Sequence, residues 1–377
     1  LKARQSLRAP PCAARAHAMD ACRLGCLLSS IGLPLLAVLT PGAVPGRVRG
    51  TEQMLDLITT QTYMREYKQN CSRPELPDPA AEPKAGLEHV HVAYAADSGR
   101  RHAVGLLSSM LSLARRLSEP GRCTVHVVVP AAGMAWAREM VECFRHELAA
   151  LPEQPQVLLH EMKPLPLDIA GLKATHHQPG QDYSHLYASL EGEAFVRLYL
   201  HEYLPLEVPR VLWLDADTIV RSDVRPLYRR RLEHVVAAVP DGRMWDLLNV
   251  RNASLARHVK DMNSPRLTSG VLLIDLDRWR SGHHARALET WTRRTGGAQG
   301  EQAALAMHFE GRFDLLDWRW NVFHLGFWPY PLEPACVEGA KVLHWSGGCK
   351  PWQRCGGAND GLFEGPGGAC AAVGWTP

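Results

Sequence analysis

Two carboxylates separated by one residue form the strongest chemical signal in this sequence. Asp215-Ala216-Asp217 directly follows the apolar run Val211–Leu214. Where a strand ends, the backbone leaves its extended form, so both carboxylates can turn toward one ion. Two hard oxygen ligands suit Mg²⁺ or Mn²⁺, and such an ion would neutralise a diphosphate and support its departure as a leaving group. A pair of solvated acids that opens a loop is the alternative interpretation.

The elements that must position this pair alternate between strands and helices. Short apolar runs predict strands at residues 89–97, 123–130, 157–160, 210–217, 235–239, 270–276 and 340–345. Apolar residues at three- and four-residue spacing predict helices at residues 103–117, 135–151, 194–204, 281–294 and 300–309. This alternation predicts an α/β fold with a mainly parallel sheet covered by helices on both faces. Ligands of such folds bind outside the carboxyl ends of the strands.

Composition and charge narrow the class of protein. The chain has 377 residues, of which 46% are apolar and 21% charged, so it can bury a sizeable core. Residues 1–50 carry seven basic residues and one acidic residue, which leaves 35 basic and 38 acidic residues in the remainder. Nucleic-acid binding needs a basic face. The near-neutral remainder therefore argues against a nucleic-acid partner.

The N-terminal part has the pattern of an export segment. Residues 24–40 are mostly apolar and uncharged, and basic residues precede them. This pattern predicts a secretory signal peptide or a signal-anchor within residues 1–40, with a buried core helix as the alternative. The basic flank would keep the N-terminus in the cytosol and send the rest of the chain into the lumen. Residues 41–86 mix Pro, Gly and charge, which predicts a stem or linker.

The cysteines fit an exported chain. Seven of the ten cysteines lie beyond residue 40, namely Cys71, Cys123, Cys143, Cys336, Cys349, Cys355 and Cys370. Four of them crowd the last 42 positions, a Gly-rich part of the chain that could hardly fold on hydrophobic burial alone, so we expect disulfides there. Residues 356–377 form its Gly/Cys-rich tail. A zinc site is the alternative, but no paired Cys-x-x-Cys spacing supports it. Because seven cysteines cannot all pair, at least one thiol is free. Cys123 lies in a predicted strand and is expected in the core. Sequons at Asn70 and Asn252 would accept N-glycans in the lumen.

Four segments carry a more specific pattern. They read VLWLDADTIV (211–220), LTSGVLLIDLDRWR (267–280), RWNVFHLG (319–326) and LHWSGGCKPW (343–352). In this order they resemble glycosyltransferase family 8, whose enzymes are retaining, and the last segment closely matches the family motif His-x-x-Gly-x-x-Lys-Pro-Trp. The eukaryotic galacturonosyltransferase-like branch is the most similar. The resemblance covers about residues 87–355 and implies a single GT-A-type, Rossmann-like catalytic domain there.

The resemblance implies an enzyme that transfers a sugar from a UDP-sugar with the help of Mn²⁺, or of Mg²⁺. Asp215, Asp217 and His344 would be the metal ligands, and Asp217 is also expected to be essential for catalysis. The family places the ion on the two phosphates of the donor. Gly347 would let the backbone approach these phosphates, and Lys350 would place a positive charge on them.

The resemblance also assigns the base-binding residues. Ala95 and Asp97, at the end of the first predicted strand, match the residues that contact the uracil base. An aromatic or Asn side chain usually follows, but residues 98–102 read Ser-Gly-Arg-Arg-His. Arg100 or His102 would have to stack on the base instead, and the choice of nucleotide is correspondingly open.

Further residues are expected near the donor sugar. Arg197 matches a family arginine close to the donor, and Ala216 lies between the two acidic ligands. Thr268 occupies a position that usually holds Asn, so a contact to a sugar hydroxyl would be altered. Gln302 matches the residue nearest the reacting carbon and would stabilise an oxocarbenium-like centre. Glu301 replaces the usual Asp before it.

The expected acceptor is a glycan or glycoconjugate. Trp320 and Asn321 would close one wall of the sugar or acceptor pocket, with core packing as the alternative for Trp320. Residues 163–185 and 244–265 are candidate acceptor loops because they are long and irregular. The family and the export segment together predict the lumen of the secretory pathway, most specifically the Golgi. The protein would be there as a type II membrane protein or after signal cleavage, with membrane contact only through the N-terminal segment.

Two other functions stay open. The first is a non-catalytic relative that binds a nucleotide sugar or a glycan, which the changes at Thr268, Glu301 and the base-binding loop motivate. The second is a metal-dependent phosphohydrolase or nucleotidyltransferase, since paired carboxylates serve those reactions too. The block from His344 to Trp352 gives that second alternative no support.

Overall fold

The computed structural model describes most of the chain beyond residue 85. The described residues are 86–97, 100, 102–168, 171–172, 192–244, 253–296, 300–326, 331–353, 356–368 and 370. The predicted export segment and all but the last residue of the predicted stem lie outside them, as do the acceptor asparagines of both sequons. Those assignments therefore stay predictions. Among the described residues, no helix is long and apolar enough to cross a membrane.

The described strands form one large sheet and one small sheet. They are β1 (Val90–Ala95), β2 (Cys123–Val129), β3 (Gln156–Glu161), β4 (Arg210–Leu214), β5 (Thr218–Val220), β6 (Val236–Arg243), β7 (Pro265–Asp275), β8 (Asp314–Leu315) and β9 (Val342–His344). The large sheet has the order β3-β2-β1-β4-β7-β6-β8, and β5 pairs with β9 in the small one. Four of the six neighbouring pairs in the large sheet are parallel, and β7 runs antiparallel to both of its neighbours. The prediction of a mainly parallel α/β sheet is confirmed.

Helices cover both faces of this sheet. They are α1 (Ala103–Arg116), α2 (Met134–Glu147), α3 (Gly192–Phe195), α4 (Leu200–Tyr203), α5 (Arg225–Arg229), α6 (Leu276–Ser281), α7 (His284–Thr295), α8 (Gln302–His308) and α9 (Pro334–Gly339). Leu212 and Leu214 of β4 pack with the apolar side chains of α1 and α2. Val211 and Trp213 pack on the opposite face, with residues of α4, α6 and α8. A strand that is buried on both faces needs a continuous apolar run, and β4 has one.

Some predicted elements differ in detail. The helix predicted at residues 194–204 consists of α3, a 3₁₀ turn over Val196–Tyr199, and α4. Arg197 lies in that turn with 6% of its surface exposed. Its Nε donates to the carbonyl oxygen of Ala194 at 3.1 Å, and its guanidinium reaches residues of the large sheet. Helical periodicity does not anticipate a buried charge, and the tighter turn accommodates one.

Disulfides occur in the C-terminal part of the chain, as expected. Cys143 of α2 is bonded to Cys370, and Cys336 and Cys349 are disulfide-bonded as well. Cys123 is a free, buried thiol at the start of β2. The predictions for Cys123 and for three of the C-terminal cysteines therefore agree with the structure, while Cys355 lies outside the described residues.

Candidate metal and donor site

The carboxylate pair lies in the short connection between the two sheets. Asp215-Ala216-Asp217 joins the carboxyl end of β4 to β5. The hydroxyl of Thr218 donates to the carbonyl oxygen of Asp215 at 2.8 Å, which holds this turn. β5 pairs antiparallel with β9, and Thr218 is opposite His344. The ladder therefore places His344 beside Asp217.

Asp215, Asp217 and His344 form a possible metal site. Each offers one ligand atom, and these atoms lie within 4.8 Å of one another. His344 Nε2 is 3.2 Å from Asp217 Oδ1 and 3.7 Å from Asp215 Oδ2. Two carboxylate oxygens and one imidazole nitrogen suit a divalent cation such as Mn²⁺. The donor set thus fits the metal that the sequence predicts.

The remaining oxygens of both carboxylates are occupied by other groups. Asp215 Oδ1 accepts from the indole Nε1 of Trp213 at 2.8 Å and pairs with Arg197 Nη2 at 2.9 Å. Asp217 Oδ2 accepts from Lys350 Nζ at 2.5 Å. Burial alone would raise the pKa of Asp217, but Lys350 and His344 outweigh it and hold that pKa well below its usual value. Each carboxylate therefore turns one defined oxygen toward His344.

Gly270 of β7 lies against the candidate ligands, although its sequence context did not mark it as a site residue. Its carbonyl oxygen accepts from the backbone N–H of Asp215 at 2.9 Å. A Cβ at this position would lie 2.2 Å from His344 Cε1 and 3.2 Å from Asp215 Oδ2. Only glycine fits. The available signal was a glycine inside a strand of large apolar residues, which often marks a close approach.

Arg197 links the metal site to α8. Its Nη1 is 3.0 Å from Glu301 Oε1 and donates to the carbonyl oxygen of Ser269 at 2.6 Å. Its guanidinium stacks over the Trp213 ring at 4.6 Å. Burial raises the pKa of Glu301, while Arg197 opposes this rise and Asp215 adds to it. The arginine thus compensates two carboxylates in a region with little water.

Gln302 has a defined orientation at the start of α8. Its side chain accepts from the backbone N–H of Ser269 at 3.2 Å and lies 3.2 Å from the Ser269 hydroxyl. A backbone N–H can only donate, so the atom that faces Ser269 must be the carbonyl oxygen Oε1. The amide nitrogen is therefore the polar group that Gln302 can offer to a substrate.

The predicted base-binding residues lie at the end of β1. Ala95 is the last residue of that strand, and Asp97 is buried two residues later. His102 Nδ1 is 3.1 Å from Asp97 Oδ2. Arg100 pairs instead with Glu139 of α2. Of the two candidates for base stacking, the structure therefore brings His102 next to Asp97, while residues 98, 99 and 101 lie outside the described part of the chain.

The predicted diphosphate-binding turn follows β9. Gly347 has a φ of +115°, a conformation that glycine adopts without strain. Lys350 Nζ donates to the carbonyl oxygen of Trp345 at 2.6 Å, besides its contact with Asp217. Trp352 packs on Gly105 at the start of α1, where a Cβ would lie 2.3 Å from the indole ring. Its ring packs rather than pointing to the metal site.

Thr268 and Asn321 are buried behind His344. The Thr268 hydroxyl donates to the carbonyl oxygen of Val239 at 2.9 Å and accepts from Asn321 Nδ2 at 2.9 Å. Asn321 Oδ1 is 3.0 Å from His344 Nδ1. Trp320 is 1% exposed and belongs to the core, which fits the packing alternative for this residue.

The order of the strands and the site beyond β4 define the class of protein. A mainly parallel sheet, with a carboxylate pair at the end of a central strand and a histidine from a late strand, is a GT-A-type α/β architecture. The predicted fold class is therefore confirmed. Comparisons with known proteins narrow the class to one family.

The chain belongs to glycosyl transferase family 8, whose family model matches residues 102–356, more than half of the chain. The predicted resemblance is confirmed by this match, which supports the predicted enzyme class, a glycosyltransferase. "Probable galacturonosyltransferase-like 3" of Arabidopsis thaliana is 31% identical over 179 residues, which cover 42% of this chain and 50% of the relative. "Glycosyltransferase 8 domain-containing protein 1" of Xenopus tropicalis is 31% identical over 188 residues, with 42% and 50% covered.

Solved structures share the fold. The galactosyltransferase LgtC, solved in complex with donor and acceptor sugar analogues, superposes with a TM-score of 0.51 at 18% identity. The match covers 76% of this chain and 98% of that chain. The chain spans about half the length of the curated relatives named above.

Proposed function

We propose that this protein is a retaining glycosyltransferase that moves a sugar from a UDP-sugar to a glycan or glycoconjugate acceptor. The observation that carries the proposal is the convergence of Asp215 Oδ2, Asp217 Oδ1 and His344 Nε2 at the edge of a family 8 sheet, with Lys350 beside them. Mn²⁺ is the proposed ion, and Mg²⁺ is the alternative. When bound, the ion would neutralise the diphosphate that leaves the sugar.

The residues of the chain have separate proposed tasks. Asp97 and Ala95 would bind the base, and His102 is placed to border it. Lys350 would add positive charge where the leaving group develops negative charge. Arg197 would keep Asp215 Oδ1 occupied, so that only Oδ2 is available to the metal.

Gln302 would act as a hydrogen-bond donor. Because its Oε1 faces Ser269, the amide nitrogen is the group left for a hydroxyl of the sugar or the acceptor. An N–H donor does not stabilise positive charge. We therefore propose that in this chain Gln302 orients a substrate oxygen, in place of the predicted stabilisation of an oxocarbenium-like centre.

A non-catalytic nucleotide-sugar-binding protein is the second candidate. It is supported by Thr268, whose hydroxyl both donates and accepts hydrogen bonds within the protein. A sugar contact at this position would have to replace one of those bonds. Binding of a UDP-sugar without turnover would favour this candidate.

The lumen of the secretory pathway is the proposed location. The disulfide between Cys143 and Cys370 supports an oxidising compartment. The apolar segment at residues 24–40 would provide the signal peptide or signal-anchor. The Golgi remains the specific prediction.

The test is UDP release from a panel of UDP-sugars by the full chain, expressed through a secretory route. We expect release from one donor with Mn²⁺, none in chelator, and none from Asp217→Asn. Asp277→Asn is the matched control, because that aspartate is 61% exposed on α6 and lies outside the site. Release that persists in chelator and in Asp217→Asn would contradict the proposal, and binding without release would favour the second candidate.

A further inference from the structure

We propose that Asn321 and Thr268 are positioning residues that hold His344 in the tautomer able to bind the metal through Nε2. The inference rests on the proposed function, since it concerns the same metal site. It is carried by three hydrogen bonds in series, from His344 Nδ1 to Asn321 Oδ1, from Asn321 Nδ2 to Thr268 Oγ1, and from Thr268 to the carbonyl oxygen of Val239.

The donor and acceptor of each hydrogen bond follow from the bond between Thr268 and the Val239 carbonyl. The Val239 carbonyl can only accept, so the single hydroxyl proton of Thr268 is donated to it. Thr268 Oγ1 must then accept from its other neighbour, which makes the nearer Asn321 atom the amide nitrogen. This leaves Asn321 Oδ1 toward His344, and an oxygen without a proton requires a donor there. His344 Nδ1 therefore carries a proton.

The proton on Nδ1 determines the state of the other ring nitrogen of His344, Nε2. With Nδ1 protonated, Nε2 is the atom available to a metal, and it points at Asp217 Oδ1 and Asp215 Oδ2. A flipped Asn321 amide would donate to Nδ1 and force the proton to Nε2, which would block the ligand position. The carbonyl of Val239 thus determines, through two side chains, which nitrogen of His344 carries the proton.

Burial makes the orientation costly to change. Asn321, Thr268 and His344 are 1%, 4% and 5% exposed, so water is a poor substitute for a lost partner. A flipped Asn321 amide would place its oxygen against Thr268 Oγ1. Either two acceptors would then face each other, or Thr268 would donate to Asn321 and lose its hydrogen bond to the Val239 carbonyl. Leaving a buried polar group without a hydrogen-bond partner is costly. Gly270 lies against the ring from another side, and its missing Cβ leaves the space that the His344 ring occupies.

The test measures Mn²⁺ affinity of the full chain by calorimetry, together with thermal melts in chelator as a check on folding. Asn321→Leu keeps the approximate volume but cannot accept from Nδ1, and we expect a loss of about 10–100-fold in Mn²⁺ affinity. Asn321→Asp still accepts from Nδ1 and should retain binding. Thr268→Val should reduce Mn²⁺ affinity less than Asn321→Leu does. Thr268→Ser keeps the hydroxyl and should have the affinity of the unaltered chain.

A matched control separates positioning from stability. Thr292 is fully buried, and its hydroxyl donates to the carbonyl oxygen of Leu288 within α7. Thr292→Val removes the same group as Thr268→Val, away from the metal site. We expect it to lower the melting temperature without changing Mn²⁺ affinity. Equal losses of affinity in both Thr→Val variants would overturn the inference.

A second readout does not depend on the metal. In ¹⁵N-histidine spectra in chelator, with the His344 signals identified by His344→Gln, we expect the Nδ1-protonated form in the unaltered chain. The signals should shift toward the other tautomer in Asn321→Leu or, if that variant fails to fold, in Thr268→Val. A His344 in the unaltered chain that is protonated at Nε2 and not at Nδ1 would overturn the inference.

The two proposals fail in different ways. If the unaltered chain and Asp217→Asn bind Mn²⁺ equally, the proposed function fails. If the unaltered chain binds one Mn²⁺ that Asp217→Asn loses, but Asn321→Leu binds it as tightly as the unaltered chain, only the positioning role fails.

Discussion

Gly270 shows how much a single absent side chain contributes at the scale of one residue. A Cβ there would lie 2.2 Å from His344 Cε1 and 2.6 Å from His344 Nδ1. We expect Gly270→Ala to displace the His344 ring and to lower Mn²⁺ affinity by about 10–100-fold, as loss of a supporting contact does elsewhere. Calorimetric titration would measure it. Gly361→Ala is the control, since a Cβ there meets nothing within 4 Å, and equal binding by both variants would contradict the prediction.

The orientation of Gln302 makes a second prediction at this scale. Gln302→Glu can still accept from the Ser269 N–H, but it offers no N–H to a substrate. If Gln302 acts as a donor, this variant should lose turnover to the same extent as Gln302→Ala. UDP release at saturating donor and Mn²⁺ would measure the loss. Turnover by Gln302→Glu above that of the unaltered chain would instead support stabilisation of positive charge.

Single residues were predictable to the extent that local motifs contain them. Asp215 and Asp217 follow an apolar run, and His344 lies in a block with fixed neighbours, so the sequence was enough to single them out. Asn321 was predicted as a pocket wall, yet its amide contacts His344. That contact joins positions on separate elements, and no local pattern contains it. The partner of Arg197 on α8 escaped prediction for the same reason.

At the scale of elements, a row of histidines crosses three parallel strands. His91 Nδ1 lies 3.1 Å from His126 Nε2, and His126 Nδ1 lies 3.0 Å from His160 Nε2. Burial, with the neighbouring His89, lowers the pKa of His91 to about 4. Burial, with the neighbouring histidines, lowers that of His126 to about 3. The strands β1, β2 and β3 thus share a row of imidazoles that is stable when uncharged.

This row predicts acid sensitivity. The ordinary histidine pKa is 6.5, so below that pH the unfolded chain takes up protons that the folded row excludes. The free energy of unfolding should therefore fall as the pH drops from about 6.5 toward 4, by about 1.4 kcal/mol per pH unit for each such proton. Urea midpoints at several pH values would measure the slope.

His126→Gln should make that slope shallower, because glutamine keeps hydrogen-bonding capacity without titrating. His283→Asn is the control, since His283 is exposed and Asn tolerates its positive φ. An identical slope in the unaltered chain and in His126→Gln would contradict the prediction.

Secondary-structure elements were predicted best where the spacing of apolar residues stays regular along the whole element. The strands and the long helices α1, α2 and α7 follow clear apolar periods, and the structure contains them. The small sheet was not foreseen, although β9 was predicted as a strand, because periodicity does not report which strand is its neighbour. The 3₁₀ turn within residues 194–204 contains the buried Arg197, and a hydrophobic period does not predict a buried charge.

At the scale of the whole molecule, the disulfide ties the C-terminal tail to the body of the protein. Cys143 and Cys370 are 227 positions apart. Closing so long a loop restricts the unfolded chain, and loss of such a bond costs about 2–5 kcal/mol. The double variant Cys143→Ser, Cys370→Ser should therefore melt at a lower temperature than the unaltered chain. Scanning calorimetry without reductant would measure the difference.

Reductant provides the matching test. It should lower the melting temperature of the unaltered chain more than that of the double variant, in which only the remaining disulfides respond. Equal melting temperatures of the two proteins without reductant would contradict the prediction. The tail cysteines were predictable as disulfides from their number and the Gly-rich context, whereas the partner on α2 required the fold.

The pairing of β5 with β9 has a consequence for how the protein is made. Thr218 and His344 face each other across this ladder, so the proposed metal site closes over more than one hundred residues of chain. During synthesis the two aspartates leave the ribosome long before the last strand exists, and closing so long a loop delays their pairing. A nascent chain that ends before residue 342 has no third ligand to offer. Tight binding of the proposed ion would therefore be restricted to molecules in which β9 has paired with β5.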